Sequence, residues 1–177
     1  MRTVFTLAFT LLLTVCHAQR VAKVYHHEIT GEKVSESSTE TWVKGGKNAS
    51  AIYVLRRIGD AYELELKFIP LMTGAGALYT VQTTDSLIII TANGSRIGLP
   101  PGKPTNSCTG CGMFDTYGEF LHGTTTHHAL MPEHIDVLLN EDVQTIGLQT
   151  SFAYVEQGIA KSKSESLRIL LGYMAVY

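Results

Sequence analysis

The chain has 177 residues, with 14 Lys and Arg against 16 Asp and Glu. That near-neutral balance, with no run of Lys or Arg, argues against a nucleic-acid partner, whose phosphates demand clustered cations. It also offers no electrostatic anchor to anionic lipid, and beyond the amino end no stretch approaches the roughly 20 apolar residues needed for a membrane span.

The amino end opens Met1-Arg2-Thr3-Val4-Phe5 and runs apolar as far as Cys16-His17-Ala18. One cation, about a dozen apolar residues and a small residue before a cut site describe a secretory signal peptide over residues 1–18. Residues 19–177 are then expected to form a single mostly β domain, exported to the periplasm or secreted. Leu13-Thr14-Val15-Cys16 partly matches a lipoprotein site. Val15 stands where that signal wants Gly or Ala, so Cys16 is expected to be discarded with the leader.

Residues 20–29 alternate roughly and carry β-branched residues, which predicts a first strand. A polar run from Thr30 to Glu40 follows, and Gly45-Gly46 marks a loop. Residues 51–56 predict a strand that turns at Gly59-Asp60. In the return segment Tyr62, Leu64, Leu66 and Phe68 alternate with Ala61, Glu63, Glu65 and Lys67, a period of two that buries one face and wets the other. The two runs predict an antiparallel hairpin. Gly74-Ala75-Gly76 reads as a turn or bulge rather than a phosphate cradle, because no amphipathic helix follows it.

Residues 78–81 predict a short strand. Leu87-Ile88-Ile89-Ile90-Thr91 is apolar on both faces and is expected inside a sheet. Asn93-Gly94 predicts a type I′ hairpin turn, with positive φ at both central residues, and Arg96-Ile97-Gly98-Leu99 is the return strand. Pro100-Pro101-Gly102 ends it and opens an irregular stretch to residue 123.

Residues 124–130 predict a further strand. Pro132 suits the first turn of a helix, and Ile135, Leu138 and Leu139 form one apolar face of a short helix near 132–140. Residues 143–150 and 152–156 predict a hairpin with Ile146 and Leu148 against Phe152 and Tyr154. Ser162-Lys163-Ser164-Glu165 matches a capping box, and Leu167, Leu170, Leu171 and Met174 continue at helical spacing. The expected fold is α+β: mainly antiparallel sheet, meander or sandwich-like, with the C-terminal helix packed on it.

Chemistry-bearing residues gather between 108 and 134. Outside the cytosol Cys108 and Cys111 tend to oxidise, and a short-range disulfide stapling the Pro/Gly-rich loop is the leading expectation. The alternative is zinc, since Cys108, Cys111, His122 and His127 supply two thiolates and two imidazoles, with His128 and His134 as substitutes. Against zinc, adjacent His127 and His128 point to opposite faces of a strand. A redox role for the cysteine pair lacks the following helix that lowers a thiol pKa.

His26-His27 reads as an exposed pair on an edge strand. Asp115, Glu119, Glu133 and Asp136 read as solvated carboxylates. Neither Gly-x-Ser-x-Gly nor His-Glu-x-x-His occurs. Asn48-Ala49-Ser50 and Asn93-Gly94-Ser95 match glycosylation sequons. Tyr53, Tyr62, Tyr79, Tyr154, Tyr173 and Tyr177 are expected at the core margin rather than as one exposed binding cluster.

The order of these pieces resembles small uncharacterised exported proteins of Bacteroidota-type bacteria. The likeness lies in the leader ending Ala18-Gln19, Ile29-Thr30-Gly31-Glu32-Lys33, the Ser86-Leu87-Ile88-Ile89 to Asn93-Gly94 hairpin, Thr145-Ile146-Gly147-Leu148 and the Lys/Ser-rich last helix. The resemblance implies fold and export only, because such proteins carry no assigned activity to transfer. The functional expectation is an exported, non-enzymatic binding or structural module of the cell envelope or extracellular space, with no cofactor. The alternative is a zinc protein, and a hydrolase is one form of it.

Overall fold

The computed structural model describes residues 21–43, 46–71, 78–108 and 122–176. Among the described residues there are twelve strands and two helices, with antiparallel sheet predominating and both helices in the last third, the α+β class expected. Strand β1 is Val21–His26, β2 Lys33–Ser37, β3 Glu40–Val43, β4 Ala49–Ile58 and β5 Ala61–Pro70. Next come β6 Thr80–Val81, β7 Leu87–Thr91, β8 Arg96–Leu99, β9 Thr105–Asn106 and β10 Thr124–Leu130. Helix α1 is Pro132–Asn140, β11 Val143–Gln149, β12 Tyr154–Gly158, and helix α2 Lys161–Val176. Among the described residues no helix is long and apolar enough to cross a membrane.

Six strands form one sheet in the order β1-β2-β4-β5-β10, with β3 also on β4. Four form a second, β12-β11-β7-β8, and β6 pairs with β9. The long β4–β5 hairpin is the one read from period two. Gly59 supplies its turn at φ +58°, and Leu64, Leu66 and Phe68 are buried while Glu63, Glu65 and Lys67 are not. Both sheets and both helices feed one core that includes Phe68, Tyr53, Leu87, Ile89, Leu99, Ile146, Leu148, Leu138 and Leu170.

The polar run Thr30–Glu40 holds strands that its composition concealed. β2 and β3 share one edge of β4, β2 pairing with its second half and β3 with its first. Ser35 and Ser37 are buried there. Where β2 leaves off, the Ser37 hydroxyl accepts the Leu55 N–H at 3.0 Å, so that buried donor stays satisfied. Trp42 then plants β3 in the core, its ring 4.5 Å from that of Tyr53.

Three local expectations are corrected. Asn93 does not take positive φ; Gly94 alone does, at +86°. Gly94 N–H donates to Thr91 O and Thr91 N–H to Ser95 O, both at 3.0 Å, so the connection is a three-residue loop ending in a left-handed glycine, not type I′. In the last hairpin Leu148 faces Val155 and Ile146 faces Gln157, which leaves Phe152 in the turn at 61% exposure. The Thr150 hydroxyl draws the N–H groups of Phe152 and Ala153 into that turn and so moves the register.

The third concerns the capping box. Helix α2 already begins at Lys161, with Ala160 O accepting the N–H groups of Lys163 and Ser164. Ser162 therefore lies inside the helix. Ser164 instead turns inward and accepts the Val143 N–H at 2.6 Å, which joins the helix to β11. The far end is held by Arg57, whose guanidinium donates to Met174 O at 2.8 Å and Ala175 O at 3.1 Å. A cation at a helix C-terminus satisfies orphan carbonyls and opposes the dipole.

Two seams stitch the sheets together. At one, the buried His128 ring bonds Leu99 O of β8 at 2.8 Å, and Gly102 N–H donates to His127 O at 2.9 Å. At the other, Asn48 donates through Nδ2 to Glu156 O and through its backbone N–H to Gln157 Oε1, both at 2.9 Å.

Candidate functional site

The alternating backbone of β10 divides the residues from which a site was expected. Thr124, Thr126, His128 and Leu130 point inward and are buried, while His127 points out and is half-buried. His127 Nδ1 lies 3.1 Å from Glu63 Oε1, at one end of a row of polar and charged side chains across the six-stranded sheet. Arg56 is its centre, with contacts of 2.8 Å to Glu36, 3.1 Å to Glu63 and 2.6 Å to Glu65, and Lys23 closes on Glu36 at 3.6 Å. Burial opposes the Arg56 charge, but the hydrogen bonds it donates to Glu36 and Glu65, with the carboxylate charges, outweigh it and its pKa rises. The Arg56 hydrogen bond in turn holds the Glu36 carboxyl below its ordinary value.

His128 plays a different part. Desolvation lowers its pKa, although its hydrogen bond to Leu99 works the other way. Its Nδ1 meets Leu99 O across the seam and its Nε2 meets Thr126 Oγ1 within β10, both at 2.8 Å, so both nitrogens are engaged. The other substitute ligand, His134, accepts the Met131 N–H at 3.2 Å, at the start of α1. At the exposed turn between β1 and β2, His26 Nδ1 meets Gly31 O and His27 Nδ1 accepts the Thr30 N–H.

Cys108 sits on the backbone beside β10, donating its N–H to Gly123 O at 3.1 Å. The neighbouring His122 keeps a buried Nδ1 without a hydrogen-bond partner. Cys111, Asp115 and Glu119 lie outside the described residues. Among the described residues no three His, Cys, Asp or Glu side chains converge as a metal site. Glu133 is exposed on α1, and Asp136 holds Asn140 there. The tyrosines do not gather: Tyr53 and Tyr79 are buried, Tyr62 and Tyr173 half-buried, and Tyr154 is 39% exposed. Tyr177 lies outside the described residues.

What residue-by-residue reading missed is a surface. On the four-stranded sheet, Leu87, Ile89, Ile97, Leu99, Ile146 and Leu148 face the core. The alternate positions face out, with Ile88 opposite both Gly98 and Gly147 and Ile90 opposite Arg96 and Thr145. Ile88 and Ile90 are half-buried and Gly98 is exposed. Tyr154 lies across Gly147, where a Cβ would stand 2.1 Å from the tyrosine hydroxyl, and that hydroxyl donates to Glu156 at 3.2 Å. Burial, reinforced by Glu156, raises the Tyr154 pKa. The result is a patch of two isoleucines and an aromatic ring, with Arg96 and Glu156 beside it. Its signal was the run Leu87–Thr91, apolar on both faces of a sheet that covers only one of them.

No family model, curated protein or solved structure matches this chain.

Proposed function

We propose that the protein is an exported, non-enzymatic module of the envelope or extracellular space, of the kind the sequence resembles. It binds another macromolecule through the outward face of the four-stranded sheet. The observation that carries this reading is the pair Ile88 and Ile90, half-buried on the outward face of an interior strand beside exposed Gly98 and the ring of Tyr154 over Gly147. Interface centres favour such side chains, apolar or aromatic with charge kept to the rim.

A photo-crosslinker placed at Ile90, in protein recovered from the exported fraction, tests it. The expected result is a discrete adduct that disappears with Tyr154→Ala and is absent when the crosslinker sits at Asp60. Equal labelling from both positions, or none from Ile90, would overturn the reading. Terminal sequencing of the same material checks export, with Gln19 as the expected first residue.

The cysteines belong to the same proposal as a Cys108–Cys111 disulfide, a small local staple whose entropic gain is modest because its loop is short. Zinc is the second reading, favoured by the unpartnered buried Nδ1 of His122 next to the Cys108–Gly123 pairing. Intact mass under non-denaturing conditions separates them. A gain of about two daltons on reduction marks the disulfide, and a loss on chelation matching zinc marks the metal.

A further inference from the structure

The turn between β7 and β8 carries a reactive pair. Asn93 and Gly94 are both exposed, and open space surrounds the position where a Cβ on Gly94 would sit. With no side chain there, little shields the Gly94 backbone nitrogen from the Asn93 side-chain amide. The chain has three other asparagines, and each is set differently. Asn48 precedes buried Ala49, and its amide is tied to Glu156 O. Asn106 lies in β9 before buried Ser107, whose N–H donates to Tyr79 O at 2.7 Å. Asn140 precedes Glu141 and donates to Asp136 O at 2.8 Å.

We propose that Asn93 is a site of spontaneous deamidation, and that the carboxylate formed there meets Glu141 and loosens the β7–β8 turn. The Gly94 nitrogen gives up its proton to solvent base and attacks the Asn93 side-chain carbonyl carbon. A carbon–nitrogen bond forms in a five-membered succinimide, the bond to the side-chain nitrogen breaks, and ammonia leaves with a proton. Water then opens the ring at either carbonyl, giving an aspartyl or isoaspartyl residue. Nothing is oxidised or reduced. The restraint on the nucleophile is the Gly94 N–H bond to Thr91 O, so the reaction follows the local opening of that bond.

The consequence comes from what the turn is tied to. Glu141 accepts hydrogen bonds from the Thr91 hydroxyl and, at 3.0 Å, from the Ser95 hydroxyl. These bonds, with a smaller contribution from Asn93, hold its carboxyl below its ordinary value. Next to it, Ala92 N–H donates to Asp142 O at 2.8 Å, tying the turn to the start of β11. Deamidation removes an amide donor and puts a like charge in its place.

The full chain is incubated at mildly alkaline pH and mapped by peptide mass. The expected gain of about one dalton appears at Asn93 several times faster than at Asn48, Asn106 or Asn140, as both aspartyl and isoaspartyl forms. In parallel, Asn93→Asp is expected to melt below Asn93→Ser at neutral pH, and the gap is expected to close in acid, where the carboxyls are protonated. Retention of the Asn93 amide as long as at the other three sites would overturn the modification. Equal melting of the two variants at neutral pH would overturn its effect on the turn.

Discussion

The two sheets turn opposite kinds of surface outward. On the six-stranded sheet Lys23, Glu36, Arg56, Glu63, Glu65 and His127 answer one another across five strands. On the four-stranded sheet Ile88, Ile90, Gly98 and the ring of Tyr154 over Gly147 face out without comparable pairing. Cross-strand pairs stabilise sheets whether ionic or apolar. They differ in what they leave for another molecule, because the charged face is satisfied within the chain while the apolar face gains by further burial.

The largest effect that tests this comparison lies beneath the apolar face. Ile89→Ala removes a fully buried side chain and is expected to cost about 2–5 kcal/mol in urea unfolding. Ile90→Ala, one residue along on the outer face, is expected to cost less than about 1 kcal/mol. Similar costs would mean that the outer face is packed after all.

Next comes the seam. His128→Asn is expected to cost about 1–3 kcal/mol at neutral pH, since Leu99 O and Thr126 lose a buried partner. The His128 pKa is lowered on folding from 6.5, so below that value the unfolded chain binds the extra proton. Stability from the neutral ring is complete above 6.5 and is lost as pH falls from there toward the folded value. His128→Asn should flatten the melting temperature between neutral and mildly acidic pH, and an unchanged slope would assign that acid response to other groups.

On the charged face, Arg56→Met leaves three half-buried carboxylates facing one another. The expected loss is about 1–2 kcal/mol, discounted for solvent screening. Because Glu36 is lowered from 4.5, its contribution stands above that value and disappears as pH falls through the folded value. The deficit of Arg56→Met should therefore shrink in acid. The smallest expected effect on stability is Ile88→Lys, within about 0.5 kcal/mol of wild type, combined with loss of the adduct formed by the crosslinker at Ile90. Retention of that adduct would move the interface elsewhere.

Legibility in the sequence followed side-chain contrast. The β4–β5 hairpin could be read because Leu64, Leu66 and Phe68 alternate with Glu63, Glu65 and Lys67. β2 and β3 could not, because Ser35 and Ser37 are buried in a sheet yet have the composition of a loop. Helix α1 was marked by Pro132. The start of α2 was misread at Ser162, since a Ser-x-x-Glu pattern does not say which carbonyl accepts first. Of the residues weighed as metal ligands, the structure gives His127 to Glu63, His128 to Leu99 and Thr126, and His134 to the α1 N-terminus, none of which spacing could reveal.

The sequence by itself determined the fold class, the long hairpin and the inward residues of α2, because period two and period 3.6 are properties of the local backbone. Only the tertiary structure decided that β2 and β3 share one edge, that His128 joins two sheets, and that Ile88 and Ile90 meet solvent. Each of those depends on which strands the chain brings alongside one another, and a sheet's second face is covered or left open by the whole chain rather than by the strand.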